Sequence, residues 1–581
     1  MVRLILGRAG SGKTARLLNL VKKRAESGKT GQIFLVPEQF SLNAERALCR
    51  VCGNGISLSA EVMTFKSLAT RVFDELGGGI AAMLDDGGRL LTMYAAVSNI
   101  RSRLRVYGGA VLRPEFLQKL LALTDELKAY NVAPEDLLVL EGTGGALPDK
   151  LYDVACISGA YDALMTAELK DPADRMKALC RALDGSGYFR GRSVCVDGFN
   201  GFTGAELSVL SKIIQEADDL DIALCADGVT DEDRGAGVFS HVKKTVAALQ
   251  KLCARLGVAC ETDTASIPCK RFARPDGDLA AVERGLFDYT CEPRAAETDG
   301  SVALYEAESL YTECEAAAAR AKALIAQGLR LREIAVVTRD MESYGRTAEA
   351  VFRKYGLPVF LDQRSDAAQK LPVRLLCAAL DIAANGCSLN RMLRLVKTGL
   401  AGVSPAEADE LERYALMWNL NGAVWLAEPG FTANPAGYGA PMDDDARNAL
   451  DHINELRRRA AAPLSRLIER SRGKTARQRA AALYAYAEEL DLAGALEARA
   501  RLLEAGNPRA GAEYVQLWEL LCRCLDQCVL ILGETTLGDA EFAELFRLLV
   551  TQYNVGAIPT GADVIAIGDA ARMRADHPRA V

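Results

Sequence analysis

Val2-Arg3-Leu4-Ile5-Leu6 runs directly into Gly7-Arg8-Ala9-Gly10-Ser11-Gly12-Lys13-Thr14, and this stretch decides the fold. The first five residues are a short β-rich run. The next eight match G-x-x-x-x-G-K-[ST] at every fixed position. Ala15 to Ala25 then places Leu17, Leu18 and Val21 on one helical face. A strand, a glycine loop and a helix in this order form the setting in which the motif cradles phosphate. Gly7, Gly10 and Gly12 let the backbone N–H groups close around phosphate oxygens, Ser11 lies within the same cradle, and the helix N-terminus adds a favourable dipole. Lys13 would reach the β- and γ-phosphates and the Thr14 hydroxyl would ligate Mg²⁺, so ATP and Mg²⁺ are the expected ligands.

Working outward, Gln32 to Val36 reads as a second strand ending in Pro37-Glu38-Gln39. A third, around Glu61 to Met63, ends in Thr64-Phe65-Lys66-Ser67. Strands alternating with helices predict an α/β fold with a parallel sheet, whose ligands lie beyond the carboxyl ends of the strands. From about Asp85 to Ala182 the pattern is almost purely helical. Ser193 to Asp197 then reads as a buried strand ending in a carboxylate, followed by a helix over Ala205 to Ala217 and a strand over Leu220 to Ala226. Alternation returns with strands at Ser301 to Tyr305, Ile334 to Thr338 and Pro358 to Leu361, separated by helices over Tyr311 to Gln327 and Ser343 to Tyr355. Helices fill about Leu371 to Thr551, and Asp563 to Gly568 is again strand-like.

Composition sets the frame without choosing a function. The 581 residues are 50% hydrophobic and 25% charged, enough for several domains with ample core. The net charge of −7 neither advertises nor excludes nucleic-acid binding, because an acidic exterior can enclose a basic channel. The apolar run Val2 to Leu6 is too short for a secretory signal, and no run approaches the roughly 18 residues of a membrane span. With sixteen scattered cysteines, the expectation is a cytoplasmic protein with reduced, mostly buried thiols and no membrane association.

Taken together, these landmarks resemble the superfamily 1 DNA helicases of the UvrD/Rep type and, within them, the AddB subunits of bacterial AddAB helicase–nucleases. The resemblance is carried by Leu6 to Thr14, Phe34-Leu35-Val36-Pro37-Glu38-Gln39, Val62-Met63-Thr64-Phe65, and Val196-Asp197-Gly198-Phe199 with Phe202-Thr203 and Glu206-Leu207. It continues through Ile334 to Asp340, Ser343-Tyr344 and Tyr355 to Phe360. It implies two RecA-like P-loop NTPase domains with parallel sheets, each interrupted by a mainly helical insertion. Residues 1–84 and 190–295 would form the first, interrupted by 85–189. Residues 296–370 and 552–581 would form the second, interrupted by 371–551.

The resemblance also implies a function: a helicase-like subunit of an ATP-dependent helicase/exonuclease that processes double-strand DNA ends for recombinational repair. An AddA-type helicase/nuclease subunit would be the heterodimer partner and supply the motor. The present subunit would bind single- and double-stranded DNA and scan a single strand for a chi-type hotspot. Relatives of this kind continue into a RecB-type nuclease domain with an iron–sulfur cluster, so the chain is read as an N-terminal part. Nuclease chemistry and the cluster are expected only beyond it, and Ile567 to Arg574 resembles this family more than an active motor.

The departures from an active motor concern hydrolysis. Asp197 can hold Mg²⁺, but the next residue is Gly198, where a motor carries the glutamate that accepts a proton from the attacking water. Met1 to Leu6 leave no room for an adenine-reading glutamine segment. No Asn-Tyr-Arg-Ser counterpart supplying an arginine to the γ-phosphate lies between Pro275 and Glu315. The expectation is ATP binding with little hydrolysis and no catalytic residue in this chain, unless Glu206 or Glu38 takes over as base. The alternatives are a catalytically active superfamily 1 helicase and a P-loop scaffold that does not touch DNA.

Other groupings carry two readings each. Arg457, Arg458, Arg459, Arg466, Arg470, Arg472, Lys474, Arg477 and Arg479 are dense enough to track phosphates, with Arg470, Arg472 and Lys474 as DNA-contact candidates; they equally suit a solvated helix face or a partner contact. Arg391, Arg394 and Lys397 form a smaller stripe. Thr64 and Phe65 are DNA-contact candidates by resemblance. Arg339 ends its strand as a functional residue would, or pairs with Asp340 or Glu342. Cys49-x-x-Cys52 and the group Cys522, Cys524 and Cys528 read as buried thiols rather than metal ligands, and His241, His452 and His577 are too dispersed for a constellation.

Overall fold

In a computed structural model of the chain, the structure describes residues 1–77, 82–109, 114–140, 146–165, 169–229, 237–264, 277–292, 298–361, 365–555, 563–570, 573 and 578–581. Arg572, Arg574 and His577, singled out in the sequence, lie outside the described residues.

The first sheet contains β1 (Val2–Gly7), β2 (Gln32–Leu35), β3 (Ala60–Met63), β6 (Ser193–Val196), β7 (Asp219–Cys225) and β8 (Cys260–Thr264). The two-residue strands β4 (Ala82–Met83) and β5 (Leu169–Lys170) pair separately. The order is β3-β2-β6-β7-β1-β8, and every pairing is parallel. Alternate residues along a strand face opposite sides, and the sequence exploits this on both. Leu4, Leu6, Ile33, Leu35, Val194 and Val196 enter one core, whereas Ile5, Phe34 and Cys195 enter the other. Helices α1 (Lys13–Glu26) and α2 (Ser41–Cys52) cover the second side. The first is covered by α3 (Phe65–Leu76) and, beyond the helical insertion, by α7 (Arg175–Leu183), α8 (Gly204–Glu216) and α9 (Ser240–Leu256). The edge strand β8 was not legible in the sequence: Cys-Glu-Thr-Asp-Thr is polar and becomes a strand through its pairing with β1.

The insertion consists of α4 (Asp86–Ile100), α5 (Pro114–Ala129) and α6 (Ala146–Leu164). The chain returns through α7, α8 and α9 to α10 (Asp278–Gly285). A second, three-stranded parallel sheet follows: β9 (Ala335–Thr338), β10 (Val359–Leu361) and β13 (Ile565–Asp569), ordered β10-β13-β9, with α11 (Leu310–Ala326) and α12 (Met341–Lys354). The antiparallel pair β11 (Ser365–Asp366) and β12 (Asn554–Val555) closes the neck of the segment between β10 and β13. The strand expected over Ser301 to Tyr305 does not form. These residues are irregular and lack a neighbour to pair with among the described residues, and Leu304 is fully exposed. An apolar alternation without a partner strand does not bury itself.

The second helical segment holds α13 (Leu371–Asn385), α14 (Leu389–Val396), α15 (Pro405–Met417), α16 (Asp444–Ser471), α17 (Ala476–Glu489), α18 (Leu492–Glu504), α19 (Pro508–Gln527) and α20 (Asp539–Val550). It does not stand apart from the first. Leu90, Val97, Leu121 and Ile157 share one continuous core with Leu376, Leu464, Leu521 and Leu549. Helix α4 approaches α20 so closely that a Cβ on Gly87 would meet Leu549 Cδ1 and the Tyr553 hydroxyl at 2.4 Å. The Tyr553 hydroxyl donates to Asp85 Oδ2 at 2.7 Å, and the Tyr94 hydroxyl donates to Glu541. No helix among the described residues is long and apolar enough to cross a membrane.

Candidate nucleotide site

The site grows from the carboxyl ends of the first sheet. Leu35 pairs with both Met63 and Val196, and the Asp197 N–H donates to Leu35 O at 3.0 Å, so β2, β3 and β6 finish level. The Ala226 N–H donates to Gly7 O, so β7 finishes level with β1. One strand, β7, separates the phosphate-loop strand from the Asp197 strand.

The loop has the required backbone. Gly10 (φ 78°) and Gly12 (φ 83°) occupy the left-handed region, where a side chain is disfavoured. Gly12 is the N-cap of α1, and no side chain caps that helix. Its first-turn N–H groups are therefore available to an anion. Lys13 Nζ donates to Gly7 O at 2.7 Å and Arg8 O at 2.9 Å, and lies 3.5 Å from Ser11 Oγ. The ammonium is thus folded back on the carbonyls of its own loop, within reach of where a phosphate would sit. At the far end of α1, Arg24 donates to the fully buried Asp221 carboxylate at 2.7 Å, which fixes the helix to β7.

Asp197 closes the constellation. Burial pushes its carboxyl above the usual carboxylate range. The Thr14 hydroxyl, the Gly198 N–H and the Lys13 charge act in the opposite direction. The Gly198 N–H donates to Asp197 Oδ1 at 2.9 Å. An ammonium, a hydroxyl and a carboxylate brought together at a helix N-terminus fit a nucleotide phosphate with a hard divalent cation: Lys13 for phosphate, Thr14 and Asp197 for Mg²⁺.

Position 198 is built for glycine. Its φ is 82°, and a Cβ there would meet Pro37 Cδ at 3.3 Å and Phe40 Cδ2 at 3.6 Å. The Asp-Gly dipeptide signals a turn, but the packing of Pro37 and Phe40 against it was not readable from sequence. The two other carboxylates considered as base stand differently. Glu206 is committed to a capping box, accepting from the Thr203 N–H at 2.8 Å and lying 3.1 Å from its hydroxyl. Glu38 is exposed in the turn after β2, beside Pro37.

A link unseen in the sequence ties the loop to α10. Arg8 donates to the Glu283 carboxylate at 2.9 Å and to the Glu283 carbonyl at 2.7 Å, with its guanidinium 5.2 Å from the Phe239 ring centroid. The partners are 275 residues apart, and no local pattern announces them.

The DNA-contact candidates are sorted by burial. Phe65 lies in the core edge-on to Phe199, with ring centroids 5.6 Å apart, and Thr64 caps α3 by accepting from the Ser67 N–H. The ring offers no face for stacking on a base, so Phe65 is a core residue here and not a presented contact. Among the nine basic residues from Arg457 to Arg479, six are engaged internally. Buried Arg457 donates to the Trp425 and Ala427 carbonyls, and buried Arg479 to the Leu537 carbonyl and Asp539. Arg458, Arg459, Arg466 and Arg477 pair with Glu455, Glu407, Glu489 and Glu534. Arg470, Arg472 and Lys474 differ: they are exposed around the turn between α16 and α17, with no ion pair among the described residues. In the smaller stripe, Arg391 pairs with Asp381 and Lys397 with Glu412.

Arg339 is exposed beyond β9 and makes no ion pair with Asp340 or Glu342 among the described residues; Asp340 instead caps α12 through the Ser343 N–H. Cys49 is exposed, contrary to the expectation of a buried thiol, and Cys52 is half-buried. Cys524 and Cys528 are buried, and burial pushes the Cys528 thiol up to about 12.

A glycine-rich loop at the end of a strand in a parallel sheet, with an acidic strand end two strands away, is an arrangement of the α/β class. Comparison with known proteins gives the family. A family model described as ADDB, N-terminal, matches residues 4–283. The B subunit of the ATP-dependent helicase/deoxyribonuclease of Symbiobacterium thermophilum is 33% identical over 99% of this chain and 51% of its own length. The corresponding proteins from Acetivibrio thermocellus and Clostridium kluyveri, which carry the same name, are each 30% identical, over 100% and 99% of this chain and 51% of their own lengths. The chain belongs to the AddB family. It spans about half the length of the curated relatives it matches.

Proposed function

We propose that this chain is the nucleotide-binding, non-driving part of a helicase-like subunit in an ATP-dependent DNA helicase/exonuclease complex that processes double-strand ends for recombinational repair. Its site holds ATP and Mg²⁺ through Gly7 to Thr14 and Asp197 and hydrolyses ATP slowly or not at all. An AddA-type subunit is the partner that drives translocation. This chain contacts the single strand and takes part in scanning it for a hotspot sequence. The observation that carries the reading is the pairing of a complete phosphate and metal cradle with glycine at 198, in a backbone conformation and packing that disfavour any side chain. Bound Mg²⁺ would neutralise phosphate charge. The protein's own groups orient the phosphates, and no carboxylate follows Asp197 to take a proton from water.

The test combines binding of a fluorescent ATP analogue with steady-state ATPase assays in the presence of single-stranded DNA. Tight binding lost on Lys13→Ala, together with turnover near background, is the expected result. Robust turnover abolished by Lys13→Ala would instead make the chain an active helicase motor. For DNA, the exposed cations Arg470, Arg472 and Lys474 favour a phosphate contact over a purely structural role. Reversing Arg470 and Arg472 should weaken single-strand binding and flatten its salt dependence. An unchanged slope removes this turn from the DNA path, and no DNA binding with or without the partner would favour a scaffold.

A further inference from the structure

A cleft of about 350 Å³ opens between α7 and α8, on the outer side of the helices that cover one face of the first sheet. It sits where the insertion returns to the sheet: Asn131, just after α5, lines it and donates to Ser208 Oγ at 3.2 Å. Two cations stand on its rim. Lys177 and Arg181 are one turn apart on α7, and neither meets a carboxylate among the described residues. Residues spaced i, i+4 share a helix face, so the two charges act at one place. Opposite them, Lys212 of α8 is held by Asp184 at 2.5 Å, which leaves the cleft with a net positive balance. This contrasts with a chain of net charge −7, on which most arginines of the basic stretch in α16 and α17 are neutralised internally.

An exposed aromatic residue, Tyr130, directly precedes Asn131 of the cleft lining. Tyr130 is 62% exposed, and its backbone lies 3.2 Å from where a Cβ of Gly204 would be, next to Ala205 in the cleft wall. Unneutralised cations, a polar amide and an exposed aromatic ring are the elements with which proteins hold single-stranded nucleic acid without reading its sequence. An acidic polypeptide would use the cations but has no need of the ring. A free nucleotide would need a backbone cradle, and the phosphate loop already supplies one elsewhere.

We propose that the α7/α8 cleft binds the backbone of a single-stranded nucleic acid, with Lys177 and Arg181 on phosphates and Tyr130 as a stacking surface. The proposal rests on the DNA-binding reading above and adds a second contact region to the turn at Arg470. Because α8 begins seven residues after Asp197, a strand held here would lie one loop away from the metal-binding carboxylate.

The test is a fluorescence-anisotropy titration of labelled oligo(dT) with the whole chain over a range of salt concentrations. For the double variant Lys177→Glu/Arg181→Glu, affinity should fall at least about tenfold. Its salt slope should become shallower by at least about 1.4, the contribution of two phosphate contacts on a single strand. Tyr130→Ala should lose about fivefold or more with its slope unchanged, the signature of lost stacking. These side chains reach the surface, and matched thermal midpoints verify that the variants are folded. If wild type binds oligo(dT) and the double variant binds it with equal affinity and slope, the cleft proposal is overturned and the DNA-binding reading survives. If wild type does not bind oligo(dT), both fall. Polyglutamate displacing the oligonucleotide from wild type but losing its effect on the double variant, while Tyr130→Ala changes nothing, assigns the cleft to an acidic polypeptide and also overturns the proposal.

Discussion

The two parallel sheets follow the same rule of construction and end differently. In the first, six strands are covered on both faces, and the ends of β1 and β6 deliver an uncapped helix N-terminus and a half-buried carboxylate to one place. In the second, three strands carry a small core, Val337 on β9 is 42% exposed, and the strand end meets an ordinary helix cap at Asp340. The α/β alternation is common to both, so in the function proposed above it is the loop chemistry at the strand ends, and not the alternation, that would confer nucleotide binding.

The comparison can be broken first through stability. Leu4→Ala, in the doubly covered sheet, should cost about 2–5 kcal/mol in urea unfolding, the usual effect of a cavity in a packed core. A loss within the range of a surface substitution would mean that the first sheet is no better packed than the second. Next comes ligand binding. Lys13→Ala should lower ATP affinity by about 10- to 100-fold, or roughly 1.4–2.8 kcal/mol, measured with a fluorescent nucleotide. Retained affinity would remove the functional distinction between the two strand ends.

Position 198 sharpens the contrast within the site. Gly198→Ala should destabilise by about 1–2 kcal/mol, since a Cβ is forced into the left-handed region against Pro37. Gly198→Glu should not raise ATP turnover, because the inserted side chain starts from the same strained backbone. An ATPase assay showing gain of steady turnover in this variant would mean that only the missing carboxylate, and not the geometry, keeps the site slow. The smallest effect is expected on the second sheet: Val337→Ala should change the unfolding free energy by no more than about 0.5 kcal/mol. A loss comparable to Leu4→Ala would reveal a partner covering that edge in solution.

Much of this architecture was legible because it is locally encoded. The phosphate loop, the strand that ends at Asp197 and the alternation of the second half depend on spacing and residue type over a few turns. Some element boundaries moved by only a residue: the helix read over Ala205 to Ala217 is Gly204–Glu216, and the strand read over Pro358 to Leu361 is Val359–Leu361. Ser301 to Tyr305 had the composition of a strand and no neighbour among the described residues, whereas β8 had a neighbour and a polar sequence. Strand formation is settled by the partner as much as by propensity.

By itself, then, the sequence determined that a phosphate-loop motif exists and that the residue after its carboxylate is a glycine, since both follow from covalent order. Tertiary structure alone decided the rest. It joined the two helical segments into one core, buried Phe65, and separated Arg470, Arg472 and Lys474 from six arginines that look identical on paper. The physical reason is that an arginine's role depends on which carboxylates and carbonyls lie within about 4 Å of it, and for these six arginines those partners come from as far as 60 residues away.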